Sequence, residues 1–223
     1  MVKEKTVEMN PRQLYLICKD IYKGIIEDMS LQEKIITIFR PLYAPLHILL
    51  NKIPRGSRLL DIGCGTGVFL ILANSLRGIE SGLGVDINRR SIKLAESVAD
   101  SKKLSFRVIS NLSDLQNVDC TYLSCIDLLH HIGKNEKVDL IKKISDLLPI
   151  GGKVLLKDLA PKPRWRSIAN RITDYLSTRS KVAYLSQYAA AEMLEKNGFE
   201  ITDSGKFNMY IWSHYFIEAK KLS

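Results

Sequence analysis

From Arg58 onward short apolar runs alternate with longer stretches of helical spacing, and this rhythm constrains the fold more than any other feature of the chain. "RLLDIG" leads to a helical stretch ending near Arg77, "SGLGVDI" to one through about Ala99, and "LSFRVIS" to "VDCTYLSCI", a helix from about Asn135 to Leu148, and "GKVLLKDL". Strands separated by helices pair in parallel, because a crossover long enough to hold a helix returns the chain to the same end of the sheet. Runs that are apolar almost throughout need cover on both faces. The expected class is α/β, a doubly wound and mostly parallel sheet. With 223 residues, 46% of them hydrophobic and 26% charged, the chain fits one such domain.

The two ends depart from that rhythm. Residues 1–53 carry helical spacing at Leu14, Ile17, Ile21 and Ile25, then "LQEKIITIFRPLYAPLHILL", where Pro41 and Pro45 must break or kink a helix. They read as a helical cap on a cofactor-binding core at 54–158. Residues 159–187 form an insertion in which Trp165, Ile168, Ile172 and Tyr175 or Leu176 follow helical spacing, with arginines on the other face. Insertions at the carboxyl end of a parallel sheet lie over its ligand crevice, so a helical lid is expected here. Residues 188–223 hold a helix around Ala189 to Lys196, stopped by Asn197-Gly198, and then "FEITDSG" and "YIWSHYFIEAK", which read as an antiparallel hairpin.

The formal net charge is +9, and between Ala160 and Val182 six basic residues (Lys162, Arg164, Arg166, Arg171, Arg179, Lys181) face one acid, Asp174. Such a face suits an anionic small molecule, a carrier protein, a transient membrane-surface contact or nucleic acid, and equally a solvated helix face. No uncharged apolar stretch approaches the ~18 residues of a transmembrane helix, and "MVKEKTVEMNPR" has no apolar signal core. A cytoplasmic protein is expected. Cys18, Cys64, Cys120 and Cys125 show no metal-ligand spacing; free structural thiols and no metal site are the expectation.

"LLDIGCGTGVF" places Gly63, Gly65 and Gly67 directly after the first strand, where a sharp turn lets the backbone approach a ligand and a helix begins. The dinucleotide fingerprint is G-x-G-x-x-G, and here the third glycine comes one residue early. Asp61, two residues before the first glycine, would repel a pyrophosphate and attract an ammonium. Asp86 ends the second strand about 20 residues beyond the turn, where an acid accepts hydrogen bonds from both ribose hydroxyls. A nucleoside with an amino-acid tail and no phosphate fits both acids, and S-adenosyl-L-methionine is such a molecule.

"LLDIGCGTGVF", "GVDIN", "VDCTYLSCIDLLHHI" and "LLPIGGKVLLKDL" resemble the motifs of class I S-adenosylmethionine-dependent methyltransferases, in the same order and spacing, over roughly Leu59 to Asp158. The resemblance implies a Rossmann-like, seven-stranded sheet with a C-terminal antiparallel hairpin, S-adenosyl-L-homocysteine as product, and methyl transfer to a small molecule. It places the cofactor's methionine part at Asp61, Gly63, Cys64, Gly65, Thr66 and Gly67, the ribose at Asp86 with Ile87, and the adenine at Asn111 with Leu112. The adenine position is commonly Asp in that family and is Asn111 here.

Methyl transfer needs positioning and, for a hydroxyl acceptor, removal of a proton. Ser124, Cys125 and Asp127 follow the fourth strand and are expected to face the cofactor's methionine. His130 and His131 resemble the "L-H-H" of small-molecule methyltransferases of ubiquinone and menaquinone synthesis, and either is a candidate base or a packed histidine. Asp158, ending "LLKDL", either orients a polar group of the substrate or caps the next segment of chain. "KDLAPKPRWRSIANRI" and the late "SHYFIEAKK" are similar to methyltransferases of aryl-polyene and related pigment pathways, which implies a phenolic, polyketide-like or lipid-like acceptor under a lid carrying Arg164, Trp165 and Arg166. Two rivals stand beside this reading. One is an RNA methyltransferase, against which stand the lack of an N-P-P-Y-like tetrapeptide, of a P-C dipeptide and of a basic-aromatic module. The other is a non-catalytic S-adenosylmethionine-binding partner protein.

Overall fold

A computed structural model describes residues 9–161, 184–210 and 212–223. Five strands, β1 (Arg58–Ile62), β2 (Ser81–Asp86), β3 (Leu104–Val108), β4 (Tyr122–Ile126) and β5 (Lys153–Leu159), run in parallel; β6 (Phe199–Met209) and β7 (Trp212–Lys221) are antiparallel. The sheet order is β3-β2-β1-β4-β5-β7-β6. The last strand therefore enters between β5 and β6, setting Tyr215 opposite Asp158 and His214 opposite Leu159. Because β1 lies between β2 and β4, the winding reverses there, and a crevice opens at the carboxyl ends of those strands.

Among the described residues four α-helices precede the sheet: α1 (Pro11–Ile21), α2 (Leu31–Thr37), α3 (Arg40–Tyr43) and α4 (Leu46–Leu50). Asn10 caps α1 and Ser30 caps α2, each in a reciprocal box with the residue three places on, Gln13 and Glu33. Pro41 lies in the first turn of α3 and Pro45 caps α4. The two prolines thus divide the stretch into separate short helices, since proline is tolerated where the first-turn N–H has no helical partner. The chain also leaves α1 at Tyr22, so Ile25 does not continue its stripe.

Alternation along the strands builds two cores. Leu59, Tyr122, Ile126 and Leu155 pack with residues of α1, α4 and α5 (Val68–Arg77), among them Leu14, Leu49 and Leu72. Leu60, Leu123, Cys125 and Leu156 pack with α7 (Lys134–Leu147) and α8 (Gln187–Glu195) through Leu140, Ile144, Ala190 and Leu194. Each fully buried leucine contributes about 1.5–3 kcal/mol. α6 (Arg89–Val98) completes the β2–β3 crossover. Among the described residues no helix is long and apolar enough to cross a membrane.

Candidate functional site

The turn after β1 holds Gly63, Gly65 and Gly67 at φ of +75°, +54° and +79°, a region closed to most side chains. Their surroundings differ. A Cβ on Gly65 would meet nothing within 4 Å, so the backbone there borders open space. A Cβ on Gly67 would lie 2.8 Å from Phe106 and 2.9 Å from Ala95. The third glycine therefore lets α5 start against β3 and α6, a packing requirement beside the ligand cradle expected from the sequence.

Asp86 ends β2 and ties the turn to it. One carboxylate oxygen accepts from the Gly65 N–H at 2.8 Å, the other from the Asn88 N–H at 2.8 Å. Each oxygen keeps a further lone pair for a ligand hydroxyl.

On the sheet face beneath the N-terminal helices the polar groups are enclosed. Asp61 is 2% exposed and accepts from the Ser124 hydroxyl at 2.6 Å. Burial lifts its carboxyl to about 7, against the Ser124 hydrogen bond and the nearby Arg40 guanidinium, which pull it down. The Thr66 carbonyl accepts from the Tyr22 hydroxyl at 2.7 Å, and the Thr66 and Thr37 hydroxyls lie 2.9 Å apart. Asp127, in left-handed backbone at φ +59°, accepts from Arg40 Nη2 at 3.0 Å and pairs with Lys157, whose side chain is 1% exposed. Burial would raise the Asp127 carboxyl, but Lys157 and Arg40 outweigh it and hold the group well below the carboxylate range. His214 Nε2 meets the Tyr43 carbonyl at 3.0 Å, and burial with the Lys157 charge pushes its ring down to about 3. A neutral His214 with a proton on Nε2 results.

Ser124 faces this enclosed side, against Asp61, but Cys125 does not. Its side chain points to the opposite face, fully buried among Leu123, Leu140 and Ile144, because neighbouring residues of a strand alternate. Cys64 is likewise covered, its sulfur against the backbone of Gly84.

Across the turn a cleft of about 490 Å³ stands open. Gly63, Asp86, Ile87, Asn111 and Leu112 line it, five of the residues expected at the cofactor. Ile87 is 78% exposed, an isolated apolar side chain at the cleft's edge. Asp114 shapes the Asn111 loop by accepting from the N–H groups of Ser110 and Asn111 at 2.9 and 3.0 Å. Leu128, Ile132, Glu136, Asp139 and Leu140 line the cleft as well.

His130 follows β4 in a single turn, Leu129–His131, and is 3% exposed. Its ring Nδ1 bonds one oxygen of Asp158, while its own N–H donates to the other at 2.9 Å. The Leu159 N–H donates to Asp158 as well, at 2.7 Å. A carboxylate only accepts, so Nδ1 carries the ring proton and Nε2 is the basic nitrogen. Asp158, with both oxygens engaged, holds His130. His131 is exposed, its ring centroid 3.9 Å from that of His130. Arg164, Trp165, Arg166 and the rest of the basic stretch lie outside the described residues.

Four participants escaped the sequence reading: Tyr22, Thr37, Arg40 and Lys157. Lys157 carried a signal, a lone cation inside the apolar run "VLLKDL". Tyr22 caps the end of α1, and Thr37 and Arg40 sit on helices, all with ordinary patterning.

A family model described as a methyltransferase domain matches residues 35–204. The ribosomal protein L11 methyltransferase of Thermotoga neapolitana is 27% identical over 189 residues, 76% of this chain and 69% of that protein. The ubiquinone biosynthesis O-methyltransferase of Leptothrix cholodnii is 28% identical over 137 residues, 56% of this chain; the match spans 57% of that relative's length. Among solved structures, magnesium protoporphyrin IX methyltransferase from Synechocystis PCC 6803 with bound SAH superposes with a TM-score of 0.62 at 18% identity, covering 93% of this chain and 83% of that one. That last likeness is one of fold.

Proposed function

Since the chain belongs to the methyltransferase domain family and is an S-adenosylmethionine-dependent methyltransferase, we propose that it methylates a hydroxyl of a small phenolic, polyketide-like or lipid-like molecule, with His130 taking the proton. The observation that carries this reading is the buried His130–Asp158 pair after β4, at the carboxyl edge of the sheet.

The residues at the crevice fit the cofactor. Asp86 has lone pairs left for two ribose hydroxyls, the open backbone at Gly65 has room for the amino-acid tail, and the apolar cleft between Ile87 and Leu128 suits a purine. Asp61, poised near neutrality by burial, gains from a ligand ammonium, which favours its charged form. Asn111 and Leu112 flank the base. The cofactor, when bound, supplies an electrophilic methyl group on a sulfonium.

What the chain adds is orientation and a proton sink. Asp158 fixes the tautomer of His130, so that Nε2 accepts the acceptor's hydroxyl proton, and its charge stabilises the resulting imidazolium. Enclosing His130 keeps competing water away from that nitrogen. An acidic or carrier-bound acceptor would add attraction to the basic stretch after Pro161.

The test uses purified protein, methyl-labelled cofactor and a cell extract, with label partitioned among organic-soluble, protein and RNA fractions. Organic-soluble label that His130→Gln abolishes, with S-adenosylhomocysteine binding retained and His131→Gln nearly silent, is the expected result. Label in protein, the substrate class of the L11 relative, or in RNA overturns the small-molecule reading. Undiminished turnover by His130→Gln overturns the base.

A further inference from the structure

Where α3 meets the ends of β5 and β7, a polar pair stands outside the cofactor placement and the proton path. We infer that His214 and Lys157 select the methyl acceptor by holding a neutral hydroxyl on it, one other than the hydroxyl that is methylated.

β5 and β7 pair with Lys157 opposite Phe216 and Leu159 opposite His214. Lys157 and His214 are therefore diagonal neighbours on one sheet face, the face on which Leu155 and Phe216 pack with the N-terminal helices. His214 is 1% exposed, and its two nitrogens differ. Nε2 donates to the Tyr43 carbonyl at 3.0 Å, which leaves Nδ1 an acceptor. Nδ1 is buried and has no hydrogen-bond partner among the described residues. A buried acceptor left unmet is costly. Lys157 Nζ bonds one oxygen of Asp127, and an ammonium has two further N–H groups to give. The pair is close enough that the Lys157 charge helps to keep the His214 ring neutral.

A group placed against both must donate to Nδ1 and accept from Nζ. A hydroxyl does both, whereas an ether or a ketone only accepts, and a carboxylate would leave Nδ1 unmet. Aromatic rings surround the pair. Trp212, two places before His214 on the same face of β7, has its ring centroid 5.4 Å from that of Tyr43, and Phe207 stands opposite His214 on β6. Trp212 and Tyr43 are half-buried, so solvent reaches the rings above the pair. Such walls suit a hydroxyl carried on an aromatic ring. Asp127 feels both His214 and His130, so the pair adjoins the proposed base.

The inference rests on the small-molecule reading above, and a binding titration tests it apart from turnover. Protein isotopically labelled at histidine nitrogen and saturated with S-adenosylhomocysteine is titrated with phenol, anisole or benzoate, and the ring nitrogens are followed by NMR. Phenol should move His214 Nδ1 toward the hydrogen-bonded range and bind at least about tenfold tighter than anisole, because the ether leaves that nitrogen unmet. His214→Gln, whose longer amide reaches toward the Tyr43 carbonyl but offers nothing at the Nδ1 position, should bind the two within about threefold of each other. His214→Asn, whose shorter amide sets an oxygen near the Nδ1 position and gives up the Tyr43 contact, should keep most of the preference. Benzoate outbinding phenol, with His214 becoming protonated, overturns the inference in favour of an anion site. So does an Nδ1 signal that no ligand moves, the mark of a site closed or filled by water. Organic-soluble methyl label alongside such a silent His214 spares the small-molecule reading, while label in protein or RNA overturns that reading and the inference with it.

Discussion

The crevice is closed at one end and open at the other, and its acids are held differently at each. Beneath α1–α3, Asp61 is enclosed with a serine hydroxyl, and Asp127, half-buried, is paired with two cations, one of them the 1% exposed Lys157. Between the β2 and β3 loops and α7, Asp86 and Asp114 instead accept backbone N–H groups and shape loops that stand in solvent. A charge buried with side-chain partners is bound up with the stability of the fold, because removing one member strands the rest. A charge that organises an exposed loop acts mainly on what binds there. Substitutions at the closed end should therefore register first in unfolding, and those at the open end in ligand affinity.

The largest effect belongs to Asp127. Asp127→Asn keeps the shape and tolerates the left-handed backbone, but leaves Arg40 and the 1% exposed Lys157 without their shared counter-charge. Unfolding in urea should show a loss of about 3–5 kcal/mol. Lys157→Met, which retains the Arg40–Asp127 pair, should cost much less. Equal losses from both would mean that the cations are not held by the acid, and the contrast between the two ends would lose its physical basis.

A smaller effect, visible only through pH, belongs to Asp61. With its carboxyl lifted to about 7, Asp61 is mostly neutral below that pH and attracts an ammonium only as it ionises. Affinity for S-adenosylhomocysteine should weaken below pH 7, by at most about tenfold per pH unit. Methylthioadenosine, which lacks the ammonium, should show no such slope, and Asp61→Asn should remove it. Stability has the opposite sign: a raised carboxyl gives up stability as pH rises from the ordinary Asp range through 7, so Asp61→Asn should raise the melting temperature at pH 8 and leave it unchanged at pH 4. An equal pH slope for both ligands would place the ammonium elsewhere.

The same contrast marks what the sequence discloses. The order and spacing of strands were readable because runs such as "RLLDIG" and "GKVLLKDL" are apolar almost throughout, and Asp86 because an acid ending such a run stands out. The open end is local in sequence, so its loops carry their own signals. The closed end is not: Tyr22 meets Thr66 across 44 positions and Arg40 meets Asp127 across 87, and neither partner signals the other. Gly67 shows the converse limit, since a glycine freeing space for Phe106 and Ala95 looks in sequence like one freeing space for a ligand. Cys125 erred by one position, which in a strand is enough to change faces.

The smallest expected effect tests whether the closed end also guards the tail of the ligand. Tyr22→Phe deletes the hydroxyl that donates to Thr66 while its ring still fills the same buried space, so only one hydrogen bond is lost. A loss of about 1 kcal/mol in unfolding is expected, because the Thr66 carbonyl is left in a dry site and the Thr37–Thr66 contact still holds α2 to the turn. Adenosine, which occupies only the open end, should bind as before. S-adenosylhomocysteine, whose tail the proposed placement sets beneath α1–α3, should dissociate up to about fivefold faster, because that cap then lifts more often from the glycine turn. Stopped-flow release of the two ligands separates the cases: if adenosine quickens as much as S-adenosylhomocysteine, the hydroxyl supports the whole crevice. If neither changes while unfolding does, the N-terminal helices stabilise the sheet without gating the ligand.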